Sequence, residues 1–437
     1  MSNRGSEWRK WNFHVHTKGT NKNDQFTSRS MDDFFCTFFK KAYQDKIEAI
    51  GITDYFSIDR YLDAVKYIKE INNKVDDLGE KLFSDDEINF IQKIFIFPNV
   101  ELRISPTTKK GKFINLHFIF NPIIVDELNN GFFNKISNID GCLMNYQGIK
   151  DCAKQIDPLL HEDQLYKYGI NNYNIEFGKI KSLLESNKLI RDNSLIAVSS
   201  KSNDGVSGLK DYYEEFEQEG GSLLGTIKSI YKTTDIIFSS APSDKDYFLG
   251  KKTTEKEVIN HTGSLKPCII GCDSHSEDTL FERFTWIKSD LTFEGLRQIC
   301  YEPEQRVKIQ IDKPDFKEDK VIINKVKFIS SNKVFTNNEI YLNPNLNVII
   351  GGKSSGKSIF LYSIAKTLLV DDTILKNESL EEKYNLKSID SDFNFEITTN
   401  AGIAQEMFRN SEENSIIPDI KYIPQNYLVK LAEPDIN

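Results

Sequence analysis

The chain has 437 residues, 39% hydrophobic and 28% charged, with a formal net charge of −9. That length carries two or three domains with cores of their own, and the acidic balance argues against a surface that coats nucleic acid nonspecifically, though it leaves room for a local basic groove. No apolar run approaches a membrane span, residues 1–8 are too polar for a signal peptide, and the six cysteines include no C-x-x-C pair, so the expectation is a cytoplasmic protein with reduced thiols and no membrane partner.

In chain order, residues 11–16 alternate like a strand, and 31–46 set Phe34, Phe35, Phe38, Phe39 and Ala42 on one helical face. Residues 49–54 read as a buried strand, 61–75 as a helix, and 95–104 and 114–120 as further strands. The more polar stretch 121–193 is expected to carry one clear helix, at 175–189. Short apolar strands ending in polar residues follow at 194–199, 235–239 and 268–273. Strands alternating with amphipathic helices define an α/β layout. Residues 311–320 are polar and charged and hold Pro314, which places a linker over 311–325 between a first domain (1–310) and a second (326–437).

The second domain carries the sharpest motif. Residues 348–359 fit G-x-x-x-x-G-K-[ST], with Gly351, Gly356, Lys357 and Ser358 in the defined positions and Gly352, Lys353, Ser354 and Ser355 between them. Leu346, Val348, Ile349 and Ile350 before it are expected to form a buried strand. Ile359, Phe360, Ile364, Ala365 and Leu368 after it have helical spacing. Backbone N–H groups of such a loop face phosphate oxygens, the lysine reaches the β- and γ-phosphates, and the Ser358 hydroxyl ligates Mg²⁺. A glycine turn between strand and helix is the plain alternative, but a chance match in a chain this long is on the order of 1%. The expectation is ATP with Mg²⁺. No apolar strand ending in paired acids follows, so the nucleotide module is expected to be incomplete or part of a longer protein, and hydrolysis by these residues alone is not expected.

A second constellation lies in the first domain. His14 and His16 stand two apart on a strand and so share a face. Asp54, Glu101, His117, Asp273 and His275 each lie on or just after another expected strand. Neutral imidazoles with carboxylates suit Mn²⁺, Zn²⁺ or Fe²⁺, and such a cluster activates water and polarises a phosphoryl oxygen. A lone His on a strand is more often a satisfied core residue, and an Asp after a strand often caps a helix. It is the pairing of His14-x-His16 with Asp273-x-His275 that lifts the cluster above those explanations. Cys268 and Cys272 are expected to be buried apolar side chains, and His161 and His261 to be surface residues without partners. Arg9, Lys10 and Trp11 are expected to form a solvated N-terminal arm rather than a nucleic-acid patch.

Residues 13–17, 52–55, 99–102, 115–117 and 271–275 resemble, in order, the motifs of the PHP (polymerase and histidinol phosphatase) domain. Residues 286–296, followed by Glu302-Pro303 and Arg306-Val307, resemble the bacterial TrlF-like group, in which a PHP domain is fused to an SMC/ABC-type ATPase. Residues 420–427 are similar to the Q-loop strand of such ATPases, with Gln425 as the residue that meets Mg²⁺ and water. The resemblance implies a distorted (β/α)₇ barrel with metal at its C-terminal strand ends, followed by the N-terminal part of a P-loop ATPase head with Walker A and Q-loop and no Walker B. It implies a first metal position held by His14, His16, Glu101 and Asp273, a second by Glu101 and His117, and a third reduced to His275, which ligates or acts as acid and base. Asp54 would orient the cluster. Three departures stand out: Tyr55 replaces an expected His, Ser199 or Ser200 replaces another, and Asp24 is the candidate for a first-loop ligand. The implied function is a metal-dependent nuclease gated by ATP, oligomeric through its heads, with anti-phage defence as a role. The departures keep open a degenerate scaffold that responds to nucleotide, and a small-molecule phosphatase.

Overall fold

The structure is a computed structural model describing residues 4–105, 107, 113–200, 222–331, 334–408, 414–417 and 419–424. It divides into two compact units, Trp8–Pro314 and Met1–Glu7 with Asp315–Asn437. Among the described residues no helix is long and apolar enough to cross a membrane.

The larger unit is mixed α/β, built around a nearly closed, barrel-like sheet. Its strands are β1 (Glu7–Val15), β2 (Ile47–Tyr55), β3 (Phe95–Ser105), β4 (Ile114–Phe120), β5 (Ile175–Glu176), β6 (Ser194–Ser199), β7 (Ile236–Phe238), β8 (Cys268–Ile269), β9 (Thr285–Ser289) and β10 (Val307–Lys308). The order is β10-β9-β1-β2-β3-β4-β6-β7-β8, with β5 also on β3. β1, β2 and β3 run parallel, as do β6, β7 and β8, while β4 is antiparallel to both of its neighbours. A strict β/α alternation therefore fails at β4. After β8 the chain passes beside β1, where the Asp273 N–H donates to the His14 carbonyl at 2.7 Å and ties the segment after β8 back to β1.

Side-chain alternation sorts the core. Trp11, Phe13, Ala49, Phe97, Ile119, Ala197, Ile236 and Ile269 form one cluster on the inner face. Outside β1–β3, helix α1 (Met31–Gln44) packs Phe34, Phe35, Phe38 and Phe39 against Ile50 and Ile52, with Tyr67 from α2 (Asp59–Lys69). α1 starts where the Ser30 side chain accepts from the Asp33 N–H and ends two residues short of the expected 46.

Three expectations are corrected here. The stretch 121–193 holds further helices, Tyr146–Ile156 and Glu162–Asn172, which pack so closely that a Cβ at Gly169 would lie 2.4 Å from the Ile149 carbonyl oxygen. That glycine dilutes the helical signal while making the contact. The single helix expected at 175–189 is three elements: β5, a helix Phe177–Ser186, and a turn Lys188–Asp192 capped by Asn187, whose side chain accepts from the Ile190 N–H. Residues 9–11 are not a solvated arm. Trp11 is fully buried, Lys10 donates to the Asp45 carbonyl and lies over the Phe284 ring, and Arg9 donates to the Ser289 carbonyl.

The smaller unit holds an antiparallel sheet ordered β12-β11-β13-β14, with β11 Ile323–Ile329, β12 Glu339–Tyr341, β13 Asn394–Thr399 and β14 Ala404–Glu406. Helix Lys357–Leu368 contributes Tyr362, Ala365 and Leu368 to a core with Phe328, Phe395 and Ile397. The strand expected before the glycine loop does not form. Val348 is 74% and Ile350 87% exposed, and the segment pairs with neither edge of the β12-β11-β13-β14 sheet.

Candidate metal centre

β1 and β2 pair with a register shift between Asn12 and Val15. Trp11 and Phe13 face inward below this point, and His14 and His16 face inward above it, which unbroken alternation would forbid. The irregularity is what aims both imidazoles at the cavity, a common use of bulges beside sites. Register supplies the next row: Tyr55 pairs with Glu101 across β2 and β3, and Glu101 with His117 across β3 and β4. Asp273 enters from the closing edge with φ of +52°, a left-handed conformation that Asp tolerates better than most residues.

Four ligand atoms converge. His14 Nε2 lies 3.1 Å from His16 Nε2, 3.3 Å from Glu101 Oε2 and 3.0 Å from Asp273 Oδ1. His16 Nε2 lies 3.6 Å from Glu101 Oε2 and 3.5 Å from Asp273 Oδ1. Neighbouring ligands on an ion with bonds of about 2.0–2.2 Å stand about 3–3.5 Å apart, so these spacings fit a divalent cation. Glu101 Oε2 is buried and accepts no hydrogen bond, which leaves it free to meet a cation, while the two imidazole nitrogens lie close enough either to share a proton or to bind one ion together. His14, Glu101 and His117 form a second ligand group that shares two members with the first.

The surrounding polar groups hold these atoms in place. Asn115 Nδ2 donates to Glu101 Oε1 at 2.6 Å. Asn99 Oδ1 meets His117 Nδ1 at 3.2 Å while its Nδ2 donates to the Phe13 carbonyl, so His117 presents its other nitrogen to the cavity. His16 Nδ1 lies 3.2 Å from Thr20 Oγ1, which reaches Asp54 Oδ1 at 3.4 Å. His16 is itself sandwiched between Tyr55 (4.9 Å, 14°) and His275 (4.3 Å, 18°).

Burial and neighbouring charges shift the groups of the cluster in different directions. Burial alone would protonate Glu101 and Asp273, but the two histidines hold both carboxyls well below the usual range. Burial, reinforced by His14, lowers His117 to about 3, and burial with His16 lowers His275 to about 4, so both are neutral imidazoles. His14 goes the other way: burial would lower it, yet Asp273 and Glu101 raise it well above its ordinary value.

His14, His16, Glu101 and Asp273 thus come together, with His117 beside them. His275 lies at the edge, its Nε2 3.7 Å from Asp273 Oδ1 and its Nδ1 buried without a partner. Asp54 touches no ligand directly: its Oδ1 accepts from the Tyr55 N–H at 2.9 Å, and burial lifts its pKa to about 6. Asp24 is spent elsewhere, accepting from the Gly19 and Phe26 N–H groups. Ser199 lines the cavity, whereas Ser200 donates to Asp244. Cys268 is buried, as is part of Cys272, whose Sγ lies 3.6 Å from the His14 carbonyl. His161 is exposed, but His261 meets the Tyr247 hydroxyl at 3.5 Å and so has a partner.

The cavity over the cluster has a volume of about 320 Å³ and is also lined by Lys22, Arg103 and Arg283. These cations carry no motif. Arg103 was within reach of sequence reasoning, since Asn99, Glu101 and Arg103 share one face of β3 by simple alternation.

In the smaller unit, Lys357 Nζ donates to the carbonyls of Gly351 (2.8 Å) and Gly352 (2.6 Å) and lies 3.4 Å from Ser355 Oγ. Gly356, at φ of +88°, opens the helix that begins at Lys357, and Lys353, Ser354 and Ser358 are exposed. Gln425 lies outside the described residues.

No family model matches the chain, and no curated protein matches it. Among solved structures it is similar to a Bifidobacterium adolescentis protein provisionally described as a metal-dependent phosphoesterase, at 9% identity and a TM-score of 0.30, over 66% of this chain and 95% of that one. It is similar to an amidohydrolase from Chromobacterium violaceum with sulfate bound and no metal, at 10% and 0.31, over 69% and 98%. A third likeness is to PsfC from Pseudomonas syringae, at 11% and 0.29, over 64% and 82%. At these scores the likenesses assign neither fold nor chemistry, which rest on this chain's own geometry.

Proposed function

We propose that the chain is a metal-dependent phosphoesterase acting on nucleic acid, with ATP and Mg²⁺ bound in the smaller unit as its regulator. The convergence of His14, His16, Glu101 and Asp273 at 3.0–3.6 Å carries the reading. These four residues would hold one ion, and Glu101 with His117 would hold a second less firmly, having no further carboxylate. A divalent ion supplies a polarised phosphoryl oxygen and a more acidic bound water. The chain's own part is to fix the ligands through Asn99 and Asn115 and to draw an anionic ester with Lys22, Arg103 and Arg283. His275, which lines the cavity with its Nε2 near Asp273, would ligate or exchange a proton. Support for nucleotide binding comes from the glycine loop around Lys357, whose ammonium is held by two carbonyls that a phosphate would replace.

The test is metal content by ICP-MS on the wild type and the His14→Ala/His16→Ala variant, with Mn²⁺-supplemented cleavage of single- and double-stranded DNA and RNA. The wild type is expected to retain at least one equivalent of transition metal and to cleave, and the variant to do neither. A variant that cleaves as well as the wild type would sink the assignment.

A further inference from the structure

One wall of the cavity carries charge that the metal cluster does not explain. Arg103 is only 8% exposed. Its terminal nitrogens donate to the carbonyls of Asn171 (2.7 Å) and Ile170 (2.6 Å), at the C-terminal end of the helix Glu162–Asn172. Its Nε–H is buried with no partner, and no carboxylate pairs with it among the described residues. Lys22, half-buried on the same cavity, likewise makes no hydrogen bond or ion pair among the described residues. Both cations stand against one ring: Lys22 Nζ is 5.7 Å and the Arg103 guanidinium 5.9 Å from the centre of Tyr55. The Glu101 carboxylate offsets part of their charge, but it is engaged by His14 and Asn115, so an anion entering the cavity still gains from both cations. Burial first and Arg103 second lower the Lys22 pKa, with Glu101 opposing them.

We propose that Lys22 and Arg103 form a subsite for a second phosphate, next to the one that meets the metal cluster, so that the substrate is a terminal nucleotide unit bearing its own phosphate rather than an isolated phosphomonoester. The inference rests on the phosphoesterase reading for the first phosphate only. A cavity of about 320 Å³ lies at the small end of ligand sites, which suits a chain end better than a duplex. The unpartnered Arg103 Nε–H and the Lys22 ammonium, both beside the Tyr55 ring, supply charge-assisted donors for phosphate oxygens.

Two measurements separate this subsite from the metal chemistry. Binding of inorganic phosphate to chelator-treated, metal-free protein is followed by equilibrium dialysis in the wild type, Lys22→Gln and Arg103→Lys. Wild-type binding, weakened at least tenfold by Lys22→Gln, is expected whatever the catalytic activity, whereas a wild type that binds no phosphate without metal overturns the subsite. In the Mn²⁺-loaded protein, single-stranded oligonucleotides with and without a terminal phosphate are compared. The wild type is expected to favour the phosphorylated end at least tenfold, and Lys22→Gln to lose that preference with its metal content unchanged. A preference that survives Lys22→Gln overturns the proposal. Loss of cleavage on every substrate, with phosphate binding intact, would count against the hydrolase reading and leave the subsite standing.

Discussion

Lys266 shows how a single buried charge shapes the pH response of the larger unit. It is 1% exposed, and its ammonium donates to the Thr234 carbonyl at 2.6 Å and to Ser264 Oγ at 3.2 Å. Burial lowers its pKa to about 8, with Asp235 opposing the shift only in part. In the unfolded chain a lysine titrates near 10.4, so between about pH 8 and 10.4 the unfolded state binds a proton that the native state has released. Stability from this group therefore rises with pH across that window, and its cost is fully present below pH 8. The gap corresponds to about 3 kcal/mol. The expected outcome is that the stability of the wild type, relative to Lys266→Met, rises by about that amount between pH 8 and 10.5. Urea titrations followed by tryptophan fluorescence would measure it, because Trp8, Trp11 and Trp286 are the chain's three tryptophans and all belong to this unit. A difference that stays flat with pH would show that Lys266 is not the buried cation described.

At the scale of elements, the metal centre depends on the place where the sheet closes. A Cβ on Gly271 would lie 2.2 Å from the His14 nitrogen and 2.6 Å from the His14 Cβ, so no side chain fits there while the Asp273 N–H bonds the His14 carbonyl. Gly271→Ala is expected to push the closing segment off β1, destabilise the unit by about 2–4 kcal/mol and abolish metal retention. Gly178→Ala, on an exposed helical position with nothing within 4 Å of the added methyl, is the control and should be neutral or stabilising by up to about 1 kcal/mol. Unimpaired metal retention in Gly271→Ala would mean that closure does not position Asp273. The same elements show what the sequence could reveal. Strands β2, β3, β4 and β6 were legible because each is a nearly continuous apolar run buried on both faces. The wider set of acids and imidazoles was legible at strand ends, and the grouping of His14 and His16 with Glu101 and Asp273 followed from the resemblance to the PHP motifs. The β1 irregularity was not, because it depends on pairing with β2 rather than on any residue type. Nor was the exposure of Val348 and Ile350, since apolar composition marks a strand only where a neighbour is present to pair with it.

At the scale of the whole molecule, the two candidate sites lie in different compact units. The cavity with His14 and Glu101 belongs to Trp8–Pro314, and the loop around Lys357 to the unit that includes Asp315–Asn437. Separate sites act together only through a coupling free energy, and that energy is reciprocal: if ATP changes affinity for substrate, substrate changes affinity for ATP by the same factor. Lys357→Ala removes the one side chain wrapped by the loop carbonyls, so ATP affinity should fall at least tenfold while the metal content of the other unit stays at the wild-type level. His16→Ala should do the converse, losing metal and keeping ATP affinity. Regulation adds a third requirement, which neither variant alone can meet. In the wild type, saturating ATP must shift oligonucleotide affinity, and oligonucleotide must shift ATP affinity by an equal factor, each measured by fluorescence anisotropy in Mg²⁺ with a cleavage-resistant oligonucleotide. Couplings of this kind commonly span about 5- to 150-fold. Lys357→Ala should lose the shift altogether. Unshifted affinities in the wild type would mean that nucleotide binding and phosphoester cleavage are two functions on one chain, with no control passing between them.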